Sequence, residues 1–250
     1  SDKQVVWSQN DRLAIFQGCT VADEFLVTDS SDGKTSADFN MVSDNSEVNG
    51  SFSAGTEVPC NVAFYPYATG LTLTGATLED EGTAYKVDGV VLPAEQTYTV
   101  ESFGNKEFPM VAVSEDNDIT FKNVCGAMKI QFMGIQQVKS IKVEGKNNEI
   151  LAGEATVTAS AGEAYPTIKM NSTTATAVTL NCGDGVQLNT NTPVEFIIAL
   201  PPVEFTKGFT VTVTDSNNEV YTIDGKSGNA IQRSTLLVMP NLFLGADPTP

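Results

Sequence analysis

The chain has no histidine. That absence removes Ser-His-Asp and Cys-His nucleophile systems and HExxH zinc sites, all of which need an imidazole as base or ligand. Positive charge is scarce: 14 lysines and arginines stand against 31 aspartates and glutamates, for a net charge of −17, and Arg12 and Arg233 are the only arginines. Such a surface repels phosphate backbones and anionic headgroups, which excludes nucleic acid and charge-driven membrane adsorption as natural roles. No stretch approaches the roughly 20 apolar residues that span a bilayer. There is no initiator methionine or signal-like apolar region at the start, so the chain reads as a mature or trimmed form.

Cysteine is present in a small, even number: Cys19, Cys60, Cys125 and Cys182. No CxxC spacing occurs, so zinc has no ligand set. Two cysteines in each half fit one disulfide per half in an oxidising compartment; buried free thiols are the alternative. No cofactor is expected. Gly183-Asp-Gly185 resembles a fragment of a phosphate loop, but neither a lysine nor a helix follows it. Asp29 to Gly33 and Ser114 to Asp118 are rich in calcium-type ligands without the calcium-loop spacing, and read as solvated turns. Among 31 acids, paired carboxylates carry no information by themselves, and the chain is read as a non-enzyme.

What remains is a β-protein. Turn residues recur at short intervals, and no long 3.6-residue apolar period appears, which is the pattern of a sandwich or barrel. Phe209 to Thr214 alternates with its threonines outward, and Asp215 to Asn218 is a hairpin turn into Val220 to Ile223. Phe196 to Leu200 is a continuous apolar run ended by Pro201-Pro202, as for a strand buried on both faces. A last strand, Ser234 to Met239, is expected to stop at Pro240.

The stretch Ile119 to Phe132 has a fault in its alternation. Ile119 and Phe121 share one phase, and the apolar phase then slips to Val124, Met128, Ile130 and Phe132. A one-residue slip turns every later side chain to the other face unless a bulge or a change of sheet absorbs it. The polar run Ser114 to Asp118 lies just before it. These features place a boundary between an N-terminal β-sandwich domain, residues 1–118, and a C-terminal one, residues 119–250.

Several segments resemble fimbrillin-family proteins of Bacteroides-type bacteria. They include Val6 to Phe16, Val62 to Tyr67, Phe121 to Gly126, Leu151 to Val157, Leu180 to Val186, Ala199 to Pro202, Gly208 to Asp215 and Arg233 to Pro240, in the family's order along nearly the whole chain. The resemblance implies an all-β fold of two tandem transthyretin-like β-sandwich domains. It further implies export as a lipoprotein, display at the outer-membrane surface, and assembly into pili by β-strand complementation with other pilus subunits. In that family a first strand is removed after a basic residue, leaving a groove that a neighbour's strand fills. This chain begins almost at Trp7, so the groove is already open or the chain is trimmed. A long alternating extension after Leu244 is missing, which favours a tip or accessory subunit over a stalk subunit.

Two sets of residues have sharper readings beside plain ones. Arg12 lies between apolar patches and is a candidate for trypsin-like processing; the plain reading is a surface arginine. Trp7, Tyr65 and Tyr67 could stack on sugars, which would make the chain a monomeric surface glycan-binding lipoprotein; the plain reading is core packing. Expected partners are therefore other subunits, with host or bacterial surface ligands as a second class.

Overall fold

The structure, a computed structural model, describes residues 5–17, 20–43, 61–78, 82–162 and 164–245. Cys19 and Cys60 lie outside the described residues. Twenty strands and one 3-10 turn make up the described secondary structure, so the fold is all-β as the sequence pattern requires. In chain order the strands begin with β1 (Arg12–Gln17), β2 (Asp23–Val27), β3 (Phe39–Ser43), β4 (Asn61–Tyr65), β5 (Thr72–Leu78), β6 (Gly82–Leu92) and β7 (Glu95–Thr97). Next come β8 (Met110–Ser114), β9 (Lys122–Asn123), β10 (Gly126–Met133), β11 (Gln137–Gly145), β12 (Gly153–Ser160) and β13 (Thr167–Met170). The chain finishes with β14 (Ala177–Gln187), β15 (Val194–Leu200), β16 (Val203–Phe205), β17 (Phe209–Asp215), β18 (Val220–Gly225), β19 (Asn229–Ile231) and β20 (Leu236–Phe243).

These strands form two compact units. The first runs from the N-terminus to Val90 and includes Pro109–Val124 and Thr156–Lys169; the second comprises Val91–Phe108, Cys125–Ala155 and the chain from Met170 onward. The division is interleaved, unlike the single passage at residue 118 expected from the acidic run. The passage nearest that position falls between Val124 and Cys125.

The first unit holds a six-stranded sheet, ordered β3-β2-β1-β4-β8-β9, and most of a four-stranded sheet, ordered β13-β12-β6-β5. The alternation of the six-stranded sheet explains its two buried faces. Leu13, Ile15, Ala63, Tyr65, Met110 and Ala112 point one way, into a core with Trp7 and Val27. Ala14, Phe16, Val62, Phe64 and Val111, on the other parity, are buried as completely. β4 ends where Pro66 enters, since a proline has no N–H to give the ladder.

The second unit is a sandwich of a three-stranded sheet, β15-β10-β20, and a five-stranded sheet, β18-β17-β11-β14-β7. Met128, Ile130 and Phe132 of β10 and Phe196, Ile198 and Leu200 of β15 form one core with residues of the facing sheet. Those are Ile141 and Val143 of β11, Val178 and Leu180 of β14, and Phe209, Val211 and Val213 of β17. At about 25 cal/mol per Å2, each of these large side chains contributes roughly 1.5–3 kcal/mol of burial.

The alternation fault is resolved by a change of sheet. Ile119 and Phe121 pack on the first unit's core, β9 pairs there with β8, and β10 then starts a ladder in the second unit. One expectation differs in detail. β20 runs on through Pro240, because a register irregularity between Lys129 and Gln131 leaves Met239 and Pro240 out of the parallel ladder.

Candidate functional site

Of the residues singled out from the sequence, the structure brings Trp7 and Tyr65 together, in the packed core of the first unit. Trp7 is 9% exposed and meets Phe39, Tyr65 and Phe121 edge-on at ring-centroid distances of 5.0, 5.5 and 5.6 Å. Edge-to-face contacts of this kind belong to a packed aromatic cluster. Tyr65 is buried too, its hydroxyl donating to Asp11 at 2.8 Å, and Tyr67 is half-buried. The three aromatics thus form no exposed sugar platform: two of them are core.

Arg12 opens β1 in register with Leu26, ion-paired with Glu24, and its carbonyl accepts the Tyr67 N–H. A protease needs an extended segment free to enter its cleft. Here the bond after Arg12 is held in a central strand, so the folded unit presents it as a structural arginine.

Cys125 and Cys182 are buried free thiols, so the bridge expected within the second half does not join them. Burial pushes both thiols up to about 12, in Cys182 against a small opposing pull from Lys139, which makes them poor nucleophiles.

The two acidic runs are turns. Asp32 and Asp29 accept from the backbone N–H and side-chain amide of Gln9. Asp116 accepts from the Ser114 hydroxyl and the Asp118 N–H, at 3.0 and 2.9 Å.

The site that the structure does build lies in the first unit, where the β8–β9 ladder stops. That ladder contains two pairs, Met110 with Asn123 and Val111 with Lys122. The Val124 N–H donates to the Pro109 carbonyl, which marks Met110–Asn123 as the non-hydrogen-bonded pair and Val111–Lys122 as the hydrogen-bonded one. The alternation then sends the N–H and C=O of Val113 toward the same side, after β9 has ended. On its other side β8 is fully engaged, pairing with β4 from Met110 to Ser114.

Beside this opened edge is a groove of about 360 Å3, lined by Val111, Val113, Thr120 and Lys122 on one wall and by Ala159 and Pro166 among others on the opposite wall. The Lys122 ammonium spans the walls, donating to the carbonyls of Gly162 and Ala164 at 2.5 and 2.9 Å. Tyr165, 71% exposed, stands on the rim between two lining residues. The volume is at the low end for a ligand site, and the lining mixes valine, alanine and proline with backbone polar groups. The arrangement offers a backbone donor, a backbone acceptor and small apolar pockets, which is what an extended peptide uses. It offers no nucleophile-base pair. Among the described residues no group of three or more acidic or cysteine side chains converges as a metal site would require. The sequence hint of this site was the alternation fault itself, which marks where the strand leaves one sheet.

No family model and no curated protein matches the sequence. Similar solved structures are proposed cell adhesion proteins of Bacteroides. One from Bacteroides ovatus is 14% identical with a TM-score of 0.49, covering 92% of this chain and 82% of its own. One from Bacteroides uniformis is 16% identical with a TM-score of 0.49, covering 90% and 84%. A third, from Bacteroides fragilis, is 9% identical with a TM-score of 0.40, covering 97% and 87%. At these values the likeness assigns no function to the chain.

Proposed function

We propose that the chain is a non-enzymatic subunit of a fimbrial or adhesive assembly at the cell surface, and that it engages a neighbouring subunit by β-strand addition. The observation that supports this is the interrupted ladder at β8: Val113 directs a donor and an acceptor toward a partly apolar groove where its own sheet supplies no strand. An incoming strand would pair with Val113 and set alternate side chains between Val111 and Ala159. Each backbone bond gained is worth about 1 kcal/mol net, and each buried aliphatic side chain about 1.5–3 kcal/mol, so most of the affinity comes from the groove. The segments resembling fimbrillin-family proteins agree with this reading.

Hydrogen exchange of the Val113 amide, followed before and after mixing with the neighbouring subunit, tests the site. Unboiled SDS gels of the same samples test the assembly. Strong protection at Val113 together with an SDS-resistant complex is the expected result. A complex without protection at Val113 moves the acceptor edge elsewhere, and a monomer throughout ends the reading.

A further inference from the structure

The second unit leaves one edge of its five-stranded sheet open. β18 pairs with β17 on one side and is the outer strand of that sheet. The Asp215 N–H donates to the Glu219 carbonyl, which makes Asp215 and Glu219 a hydrogen-bonded pair of the β17–β18 ladder. Alternation then turns the backbone groups of Tyr221 and Ile223 toward β17 and those of Val220, Thr222 and Asp224 outward. Among the described residues, nothing donates to or accepts from these outward groups. The edge is also accessible: Val220 is 61% exposed, and Thr222 and Asp224 are exposed as well. Tyr221 and Ile223, which pack against the second unit's core, are only half-buried there.

Edges of this kind are normally blunted by lysine, proline or a bulge. β18, Val220-Tyr-Thr-Ile-Asp-Gly225, contains neither lysine nor proline, and its ladder with β17 runs without a register shift. Its one charge, Asp224, is held by Lys146 at 2.7 Å. The two ends of the strand differ in sign, since Glu219 precedes it and Lys226 follows it. A second copy laid antiparallel therefore sets each acidic end against a basic one. With the two strands centred on Thr222, Val220 faces Asp224 and Thr222 faces Thr222, and these are the hydrogen-bonded pairs. Tyr221 then faces Ile223 at the closer, non-hydrogen-bonded positions, an aromatic and β-branched pair that extends the core face. Glu219 falls opposite Gly225, next to Lys226. Other registers fit less well. Centring on Asp224 opposes two carboxylates, centring on Tyr221 sets Glu219 against Ile223, and centring on Ile223 leaves Tyr221 facing Gly225.

We infer that β18 is a self-pairing edge, through which two copies of this chain join antiparallel about a twofold axis at Thr222. The pairing uses the same strand on both copies, so it closes at the dimer. It lies on a different unit and edge from the β8 groove, and either can fail without the other.

Salt at about 0.5 M shortens the repulsion between two acidic copies. In that buffer, sedimentation velocity of the wild type across about a hundredfold concentration range should show a concentration-dependent dimer. The Thr222 amide should exchange about tenfold more slowly at the concentrated end. Added cysteines read the register. Thr222→Cys sets two thiols across the axis, within the Cα spacing that a disulfide spans, and mild oxidation should give a covalent dimer on non-reducing gels. Val220→Cys sets each thiol opposite Asp224, and should give no more covalent dimer than the wild type. Thr222→Pro removes an outward N–H that β17 does not use, so it should keep the fold and abolish the dimer. Thr222→Lys, which opposes like charges across the axis, should also be monomeric, and it decides if the proline variant does not fold. A wild type that stays monomeric throughout overturns the inference. So does a dimer that survives Thr222→Lys, or one that Val220→Cys cross-links as readily as Thr222→Cys.

Discussion

Tyr65 and Asp11 show how single residues hold the first unit. Asp11 is a buried carboxylate that accepts the Ser8 N–H and the Tyr65 hydroxyl, each at 2.8 Å, and so fixes the turn that carries Trp7 over the sheet. Replacing Tyr65 with phenylalanine keeps the ring in the aromatic cluster and leaves the carboxylate short of a partner. The expected cost is about 1–3 kcal/mol, read as a lower urea midpoint with an unchanged slope. Glu107 gives a pH signature in the second unit. Burial raises its carboxyl above the usual value, partly offset by bonds from the Thr97 and Gly104 N–H groups at 2.6 and 2.9 Å. A raised folded value means that the protonated form is the one folding favours. The resulting stability is complete below the unfolded value of about 4.5 and is lost as pH rises through the folded value. Urea midpoints measured from pH 4 to pH 7 should therefore fall more steeply with pH in the wild type than in Glu107→Gln. Parallel curves would remove Glu107 as the cause.

At the scale of elements, the passage from β9 to β10 is the point on which the chain turns. Gly126 begins β10, and a side chain there would run into the Gln232 carbonyl and the Ile231 side chain. Gly126→Ala should cost on the order of 1–3 kcal/mol through overpacking, measurable by thermal or urea unfolding. The alanine is no worse than the glycine in an unstrained strand, so a neutral result would show that the Gln232 backbone yields easily. Much at this scale was legible beforehand. The alternation of Phe209 to Thr214 appears as buried and half-buried residues in strict turn, and the apolar run of Phe196 to Leu200 is buried throughout. The slip after Phe121 pointed to a sheet change because alternation is a local consequence of the pleat. Where the reading missed, a long-range partner decided. Pro240 did not end β20, since the irregularity opposite it lies in β10. β7 and the parallel pairing of β20 depend on strands about eighty and one hundred residues distant, which no local pattern announces.

The whole molecule is governed by its acidity. With a net charge of −17, copies of the chain repel one another at low salt, and screening shortens that repulsion to about 10 Å at 0.1 M ionic strength. Association with an equally acidic neighbour should therefore speed up as salt rises from about 0.02 M to 0.5 M, as followed by light scattering. A rate that falls with salt would instead identify a basic partner.

Composition, charge and alternation determined by themselves the all-β class, the want of a histidine-based catalytic centre, the positions of most strands and the point where the chain changes sheet. These properties are written locally, in residue type and period-two burial. Tertiary structure decided which edges are paired and which are open. It placed Trp7 and Tyr65 in a core, left Cys125 and Cys182 as free thiols, ended the ladder beside Val113, and set the Gln96 amide on Ala199. An edge is open or closed only through residues far away in sequence, and backbone donors and acceptors are the same at every position, so no residue type marks them.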